Sequence, residues 1–136
     1  MEEKQKEAQE LYAQLQMIEE HAKQLQQQGQ AIESQQMDLK MTERSIDEFK
    51  SLKKGDEMMV PLSNGIFAKA ELKNNEDLLI NVGSQVIVKK SPDEAKELLK
   101  EQLNNIVDVK GKLQSEMEKL SDQGQKIQKK LQELMK

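Results

Sequence analysis

Apolar side chains recur along residues 2–52 in steps of four and three. Leu11, Leu15, Ile18, Ala22, Leu25, Gly29, Ile32, Gln36 and Leu39 form the register, and only Gly29 and Gln36 interrupt it. That alternation marks a heptad seam and predicts one long helix packed against another. The segment has no proline and is dense in Gln, Glu, Leu, Lys and Ala, mostly good helix formers. Beyond Leu39 the strict register reaches polar Glu43. A shift to Thr42, Ile46 and Phe49 restores an apolar line, so a local discontinuity is expected near 36–43. Lys50, Lys53 and Lys54 crowd the helix end, where the dipole favours cations, and Gly55 is expected as its C′ residue.

Residues 92–136 repeat the pattern. Ser91-Pro92-Asp93-Glu94 predicts a helix start, with Ser91 as N-cap, Pro92 at N1 and Glu94 closing a capping box. The seam continues through Leu99, Leu103, Ile106, Lys110, Leu113, Met117, Leu120, Gly124, Ile127, Leu131 and Leu134. Lys110 and Gly124 are its exceptions.

Between the helices the period falls to two. Met58, Val60 and Leu62 alternate, then Ser63-Asn64-Gly65 turns the chain. Ile66, Ala68, Ala70 and Leu72 alternate next, and Lys73–Asp77 is a polar loop. Leu78, Ile80 and Val82 follow, Gly83-Ser84 turns, and Val86-Ile87-Val88 closes the segment. Four short strands in two β-hairpins result, with Pro61 marking an edge or bulge. The expected fold is mainly α with a small β insert. It is an antiparallel two-helix coiled coil joined by two β-hairpins, divided as 1–54, 55–91 and 92–136.

Composition narrows the picture. Aromatics are only 2%, namely Tyr12, Phe49 and Phe67, with no Trp, so the apolar groups form a narrow seam and not a globular core. Without cysteine there is no disulfide scaffold and no thiolate metal site. The net charge of −4 comes from interspersed acids and bases, which argues against a nucleic-acid backbone binder. No apolar run approaches a membrane span, and the charged N-terminus lacks a secretory h-region. A cytoplasmic location and no membrane partner are expected. His21 stands alone, and neither Glu19-Glu20 nor Asp47-Glu48 points one way on a helix, so no catalytic dyad or metal site is expected. No phosphate-binding loop, nucleophile elbow or dinucleotide fingerprint occurs, so the reading is of a non-enzyme without cofactors.

The β insert poses a burial problem. Isolated hairpins are marginal in water. Yet these strands carry Met58, Val60, Leu62, Ile66, Phe67, Leu72, Leu78, Ile80, Val82, Val86 and Val88. Burying each such side chain stabilises by about 1.5–3 kcal/mol, and leaving it wet invites aggregation. These residues are therefore expected to form an oligomerisation surface covered by other subunits.

The insert also resembles the alpha class of prefoldin. Val60-Pro61-Leu62, the turn, Phe67, Lys69, Ala70 and Leu72 follow that family's pattern, as do Ile80-Val82-Gly83 and the capping box after Lys90. Two hairpins favour the alpha over the beta class, which has one. The helices match only in length and period. The resemblance implies assembly with beta-class prefoldin subunits, two alpha plus four beta, through a double β-barrel platform. It implies ATP-independent holding of non-native polypeptides at the coiled-coil tips and their transfer to a group II chaperonin.

A surface that holds such clients needs apolar groups that no native partner covers. The open coiled-coil end offers Leu11, Tyr12, Leu15, Met17 and Ile18 on the first helix. The second helix offers Ile127, Leu131, Leu134 and Met135. Leu11, Leu15, Ile18, Ile127, Leu131 and Leu134 are seam positions, reached only if the terminal seam splays. Tyr12, Met17 and Met135 lie off the seam and need no opening; flexible Met suits a promiscuous surface. The competing reading is a structural coiled coil that forms a homo-oligomer or filament through the same hairpins and holds no client.

Overall fold

The computed structural model describes residues 2–136. Its elements run α1 (Glu2–Ser51), β1 (Glu57–Ser63), β2 (Ile66–Glu71), β3 (Leu78–Asn81), β4 (Ile87–Lys90) and α2 (Pro92–Leu134). This is the mainly α architecture with two inserted β-hairpins. The chain divides into two units. One joins α1 up to Gln35 with Asn105–Lys136, and the other is Gln36–Asn104.

In the first unit the two helices run antiparallel. Residues 14–18 of α1 lie beside 123–130 of α2, while 25–33 lie beside 110–117. Leu11, Leu25, Ile106, Leu120 and Leu131 are buried, and all occupy heptad positions. None of the described side chains is fully sealed from water, so a two-helix seam stands in for a core. Gly29 and Gly124 both sit in that seam, and both helices continue through them. A methyl group at Gly29 would meet nothing within 4 Å, and one at Gly124 would lie 3.9 Å from Ile18 Cγ2. Neither glycine is required by close approach.

The second unit begins with a departure from expectation. α1 shows no discontinuity at 36–43. Gln36, Leu39, Glu43 and Ile46 stay on the covered line while Thr42 is exposed. The strict heptad therefore runs on through Glu43 to Ile46. Glu43 is half-buried there, its charge acts on Lys96, and a long aliphatic stem lets such a side chain line a seam. The shift comes one turn later, between Ile46 and Phe49. On α2 the seam extends back to buried Ala95, one step before Leu99.

Gly55 is not the C′ residue of α1, which ends at Ser51. It lies in a separate turn in which the Asp56 amide donates to the Lys53 carbonyl. The third residue of such a turn takes positive φ, and Gly55 has φ +89. The helix terminus is instead satisfied from a distance. Asn75 Nδ2 donates to the carbonyls of Lys50 at 3.0 Å and Leu52 at 2.8 Å. A helix end leaves four carbonyls unpaired, so this side chain fastens the loop between hairpins to α1. The start of α2 has the expected box. The Glu94 amide donates to Ser91 Oγ, and the Ser91 amide donates to Glu94 Oε1.

Each hairpin is its own two-stranded antiparallel sheet. β1 and β2 pair from Glu57↔Glu71 to Pro61↔Phe67, then slip to Ser63↔Ile66. The irregularity falls at Pro61, which has no amide to give to the ladder. Asn64-Gly65 forms the tight turn, with Gly65 at φ +80. β3 and β4 pair from Leu78↔Lys90 to Asn81↔Ile87.

Two ion pairs clamp α1 to α2 beside the hairpins. Lys50 pairs with Asp93, and Lys96 donates to Asp47 Oδ1 at 2.7 Å. The hydrogen bond and charge of Lys50 hold the Asp93 carboxyl below its ordinary value of 3.8. The hydrogen bond from Lys96 to Asp47 raises the Lys96 amine above 10.5. Lowering Asp93 makes its contribution complete above pH 3.8 and lost as pH falls through the folded value. Raising Lys96 makes its contribution complete below pH 10.5 and lost as pH climbs through the folded value.

Urea unfolding of the chain and of Lys50→Met should show a stability difference that is flat near neutrality and closes in acid. The same comparison for Asp47→Asn should also close in strong base, as Lys96 loses its proton. Gly29→Ala should raise stability by up to about 1 kcal/mol, because a better helix former enters open space. Circular dichroism melts read this directly.

Candidate functional site

Two surfaces stand out, one in each unit. In the first unit, a groove of about 430 Å³ runs between α1 and α2. Its lining is Gln14, Met17 and Ile18 from α1 with Gln123, Lys126, Ile127 and Lys130 from α2. Spacing explains the lining. Gln14, Met17 and Ile18 are three and four residues apart and share one flank of α1. Gln123, Lys126, Ile127 and Lys130 do the same on α2. Each helix contributes one seam residue, Ile18 or Ile127, and the others rise beside it.

The structure sorts the candidate residues at this end. Met17 and Met135 are 73% and 75% exposed, and Tyr12 is 53% exposed. The Tyr12 hydroxyl donates to Met135 Sδ at 4.0 Å, which bridges the two helices outside the seam. Leu15, Ile18, Ile127 and Leu134 are half-buried. Leu11 and Leu131 are buried seam residues at 7% exposure and could meet a ligand only if the helices part. The groove thus gathers Met17, Ile18 and Ile127. Sequence reasoning missed Gln14, Gln123, Lys126 and Lys130. The i, i+4 spacing of Lys126 and Lys130 was the available signal.

The opposite face of the same helix pair differs. There Leu15, Ile18, Glu19, Ala22, Met117, Leu120, Ser121, Gly124, Gln125 and Gln128 line a smaller groove of about 300 Å³. It carries a carboxylate and amides but no lysine.

The second surface is the hairpin pair. Met58, Leu72, Leu78, Ile80 and Val88 are half-buried. Met58 and Leu78 face Ile46 and Phe49 of α1 and Leu52 just past its end. Val60, Leu62, Ile66, Phe67, Val82 and Val86 are exposed. Three further apolar side chains are also exposed, Met59, Leu79 and Ile87. None of these three was among the residues expected to form the oligomerisation surface. The signal for them is the unbroken runs Met58-Met59-Val60, Leu78-Leu79-Ile80 and Val86-Ile87-Val88, since strands covered on both faces read as continuous apolar stretches. Beside them a groove of about 490 Å³ opens between β3 and the helices, lined by Ile46, Leu78, Ile80, Ala95 and Leu99 among others.

Among the described residues there is no group of His and carboxylates that could hold a metal ion. No helix among them is long and apolar enough to cross a membrane.

Comparison with known proteins places the chain in a family. A family model described as Prefoldin, prefoldin subunit, matches residues 18–136. The prefoldin subunit alpha of Archaeoglobus fulgidus is 31% identical over 126 residues, covering 93% of this chain and 92% of that protein. A filamentous prefoldin from Methanocaldococcus jannaschii, solved by cryo-electron microscopy, superposes with TM-score 0.78. The match covers 85% of this chain and 96% of that one, at 11% identity. The prefoldin beta subunit from Thermococcus strain KS-1 superposes with TM-score 0.61 over 93% of this chain and 90% of that one, at 20% identity. At such identities the two structures speak to the fold alone.

Proposed function

Because the chain belongs to the prefoldin family, in its alpha class, we propose that it is a subunit of an ATP-independent holding chaperone. The proposed assembly is two alpha with four beta-class subunits. The observation that carries this reading is the pairing of two incomplete surfaces on one chain. Apolar strands are exposed on both faces at one place, and an apolar groove flanked by exposed methionine lies at another. The first surface suits permanent burial by neighbouring subunits. The second suits transient capture, because it is shallow, open and built from adaptable side chains.

In the proposed cycle the β-hairpins lock into a platform with beta-class hairpins. Met17, Ile18 and Ile127 then offer apolar contact to an exposed segment of a non-native polypeptide. Tyr12 and Met135 extend that contact towards the chain ends, and fraying of the terminal turn adds Leu15 and Leu134, then Leu11 and Leu131. Binding needs no nucleotide, since the free energy comes from covering apolar area on both partners. The client is released to a group II chaperonin.

A second reading is a structural oligomer or filament of this chain alone. The filamentous relative of the same fold gives it weight. The two readings share the platform and differ in the groove.

Mixed with a beta-class partner, the chain should suppress light scattering by a chemically unfolded model protein at a few-fold excess. A complex that leaves scattering unchanged contradicts the holding role and favours the structural reading. Removing 1–10 together with 130–136 should weaken suppression several-fold while the complex keeps its native mass. Loss of the complex in that truncation would contradict the division of labour between the two surfaces.

A further inference from the structure

The groove at Met17 is one-sided in charge. Lys126 and Lys130 stand one turn apart along its α2 wall, both exposed, and no carboxylate lines it. Neither lysine forms an ion pair among the described residues. The facing wall of α1 supplies only Gln14, Met17 and Ile18. Beyond the lining, Asp122 and Glu133 lie one helical turn from Lys126 and Lys130 along α2, with His21 and Lys119 past one end of the groove and Glu10 past the other, so carboxylates begin only outside the groove. The reverse face of the same helices carries Glu19 and no lysine. Over α2 as a whole acids and bases balance, and a linear reading of the sequence finds no patch. Three dimensions separate them. In a chain of net charge −4, two ammonium groups that form no ion pair among the described residues, set beside an apolar floor, are a local reversal of sign.

From this asymmetry we infer that the groove selects among non-native segments. It takes those in which one or two apolar side chains are flanked by Asp or Glu. The apolar anchor lies on Met17, Ile18 and Ile127, and the flanking carboxylates meet the ammonium groups of Lys126 and Lys130. Lysine suits the task because its long stem follows a mobile ligand and its charge imposes no bidentate geometry. The inference rests on the holding role and adds a substrate class to it. It also assigns the two faces of the helix pair different work, since the face bearing Glu19 repels such a segment.

Two fluorescent peptides test this with the full-length chain assembled with a beta-class partner. Both carry the same Leu-Phe anchor, one flanked by glutamates and one by lysines. In low salt the acidic peptide should bind about 3- to 10-fold tighter, the effect of two exposed ion pairs of ordinary strength. The ratio should shrink towards one in roughly 0.5 M salt, where the screening length falls to a few ångströms. The double substitution Lys126→Glu with Lys130→Glu should invert the preference, and Lys126→Gln with Lys130→Gln should erase it. Lys112→Glu, outside the groove, should leave it intact. Met17→Ser should weaken both peptides alike. Equal binding of the two peptides in low salt, or a preference that survives the double glutamate variant, overturns the charge selection and leaves the holding role standing. Binding of neither peptide overturns both.

Discussion

The structure depends on apolar strands that one chain cannot cover. Two hairpins of four to seven residues per strand carry apolar side chains on both faces, and helices α1 and α2 reach only part of one face. Backbone pairing inside each hairpin is complete enough to define its register, but pairing does not remove Leu62, Phe67, Leu79 or Ile87 from water. At about 25 cal/mol per Å² of apolar surface, the uncovered side chains together represent a large incentive to associate. Everything local to the hairpins serves to aim this surface. Asn75 closes the end of α1, the ion pairs Lys50–Asp93 and Asp47–Lys96 fix the helix bases, and the capping box starts α2 on register.

The helices answer a different constraint. A two-helix seam buries few residues, so its stability is spread thinly along many turns. Gly29 and Gly124 leave seam positions empty, and Lys110 occupies another with a charge. Such a seam stays folded while leaving apolar flanks such as Met17 accessible. A thicker bundle would bury those flanks and with them the groove.

Much of this was legible in the sequence. The four–three stepping located both helices, and the Ser91-Pro92-Asp93-Glu94 box located the start of α2 to the residue. The Asn64-Gly65 turn and the Pro61 irregularity followed from elementary turn chemistry. The misplaced features share a cause. Glu43 was rejected from the seam as polar, although its stem is apolar enough to stay. Gly55 was assigned to the nearest helix end, although the capping group was an asparagine over twenty residues away. Met59, Leu79 and Ile87 were left out of the expected oligomerisation surface because alternation was followed where continuous apolar runs are present. The charge of the groove showed only in the i, i+4 spacing of Lys126 and Lys130, because balance along α2 does not report how charges divide around it.

The claim that neighbours complete the hairpins is tested most directly by the native mass of the chain, alone and mixed with a beta-class subunit. Discrete complexes of several subunits are expected, with two alpha and four beta chains in the mixture. A monomer in both conditions, with hairpin amides protected from hydrogen exchange, would contradict the account.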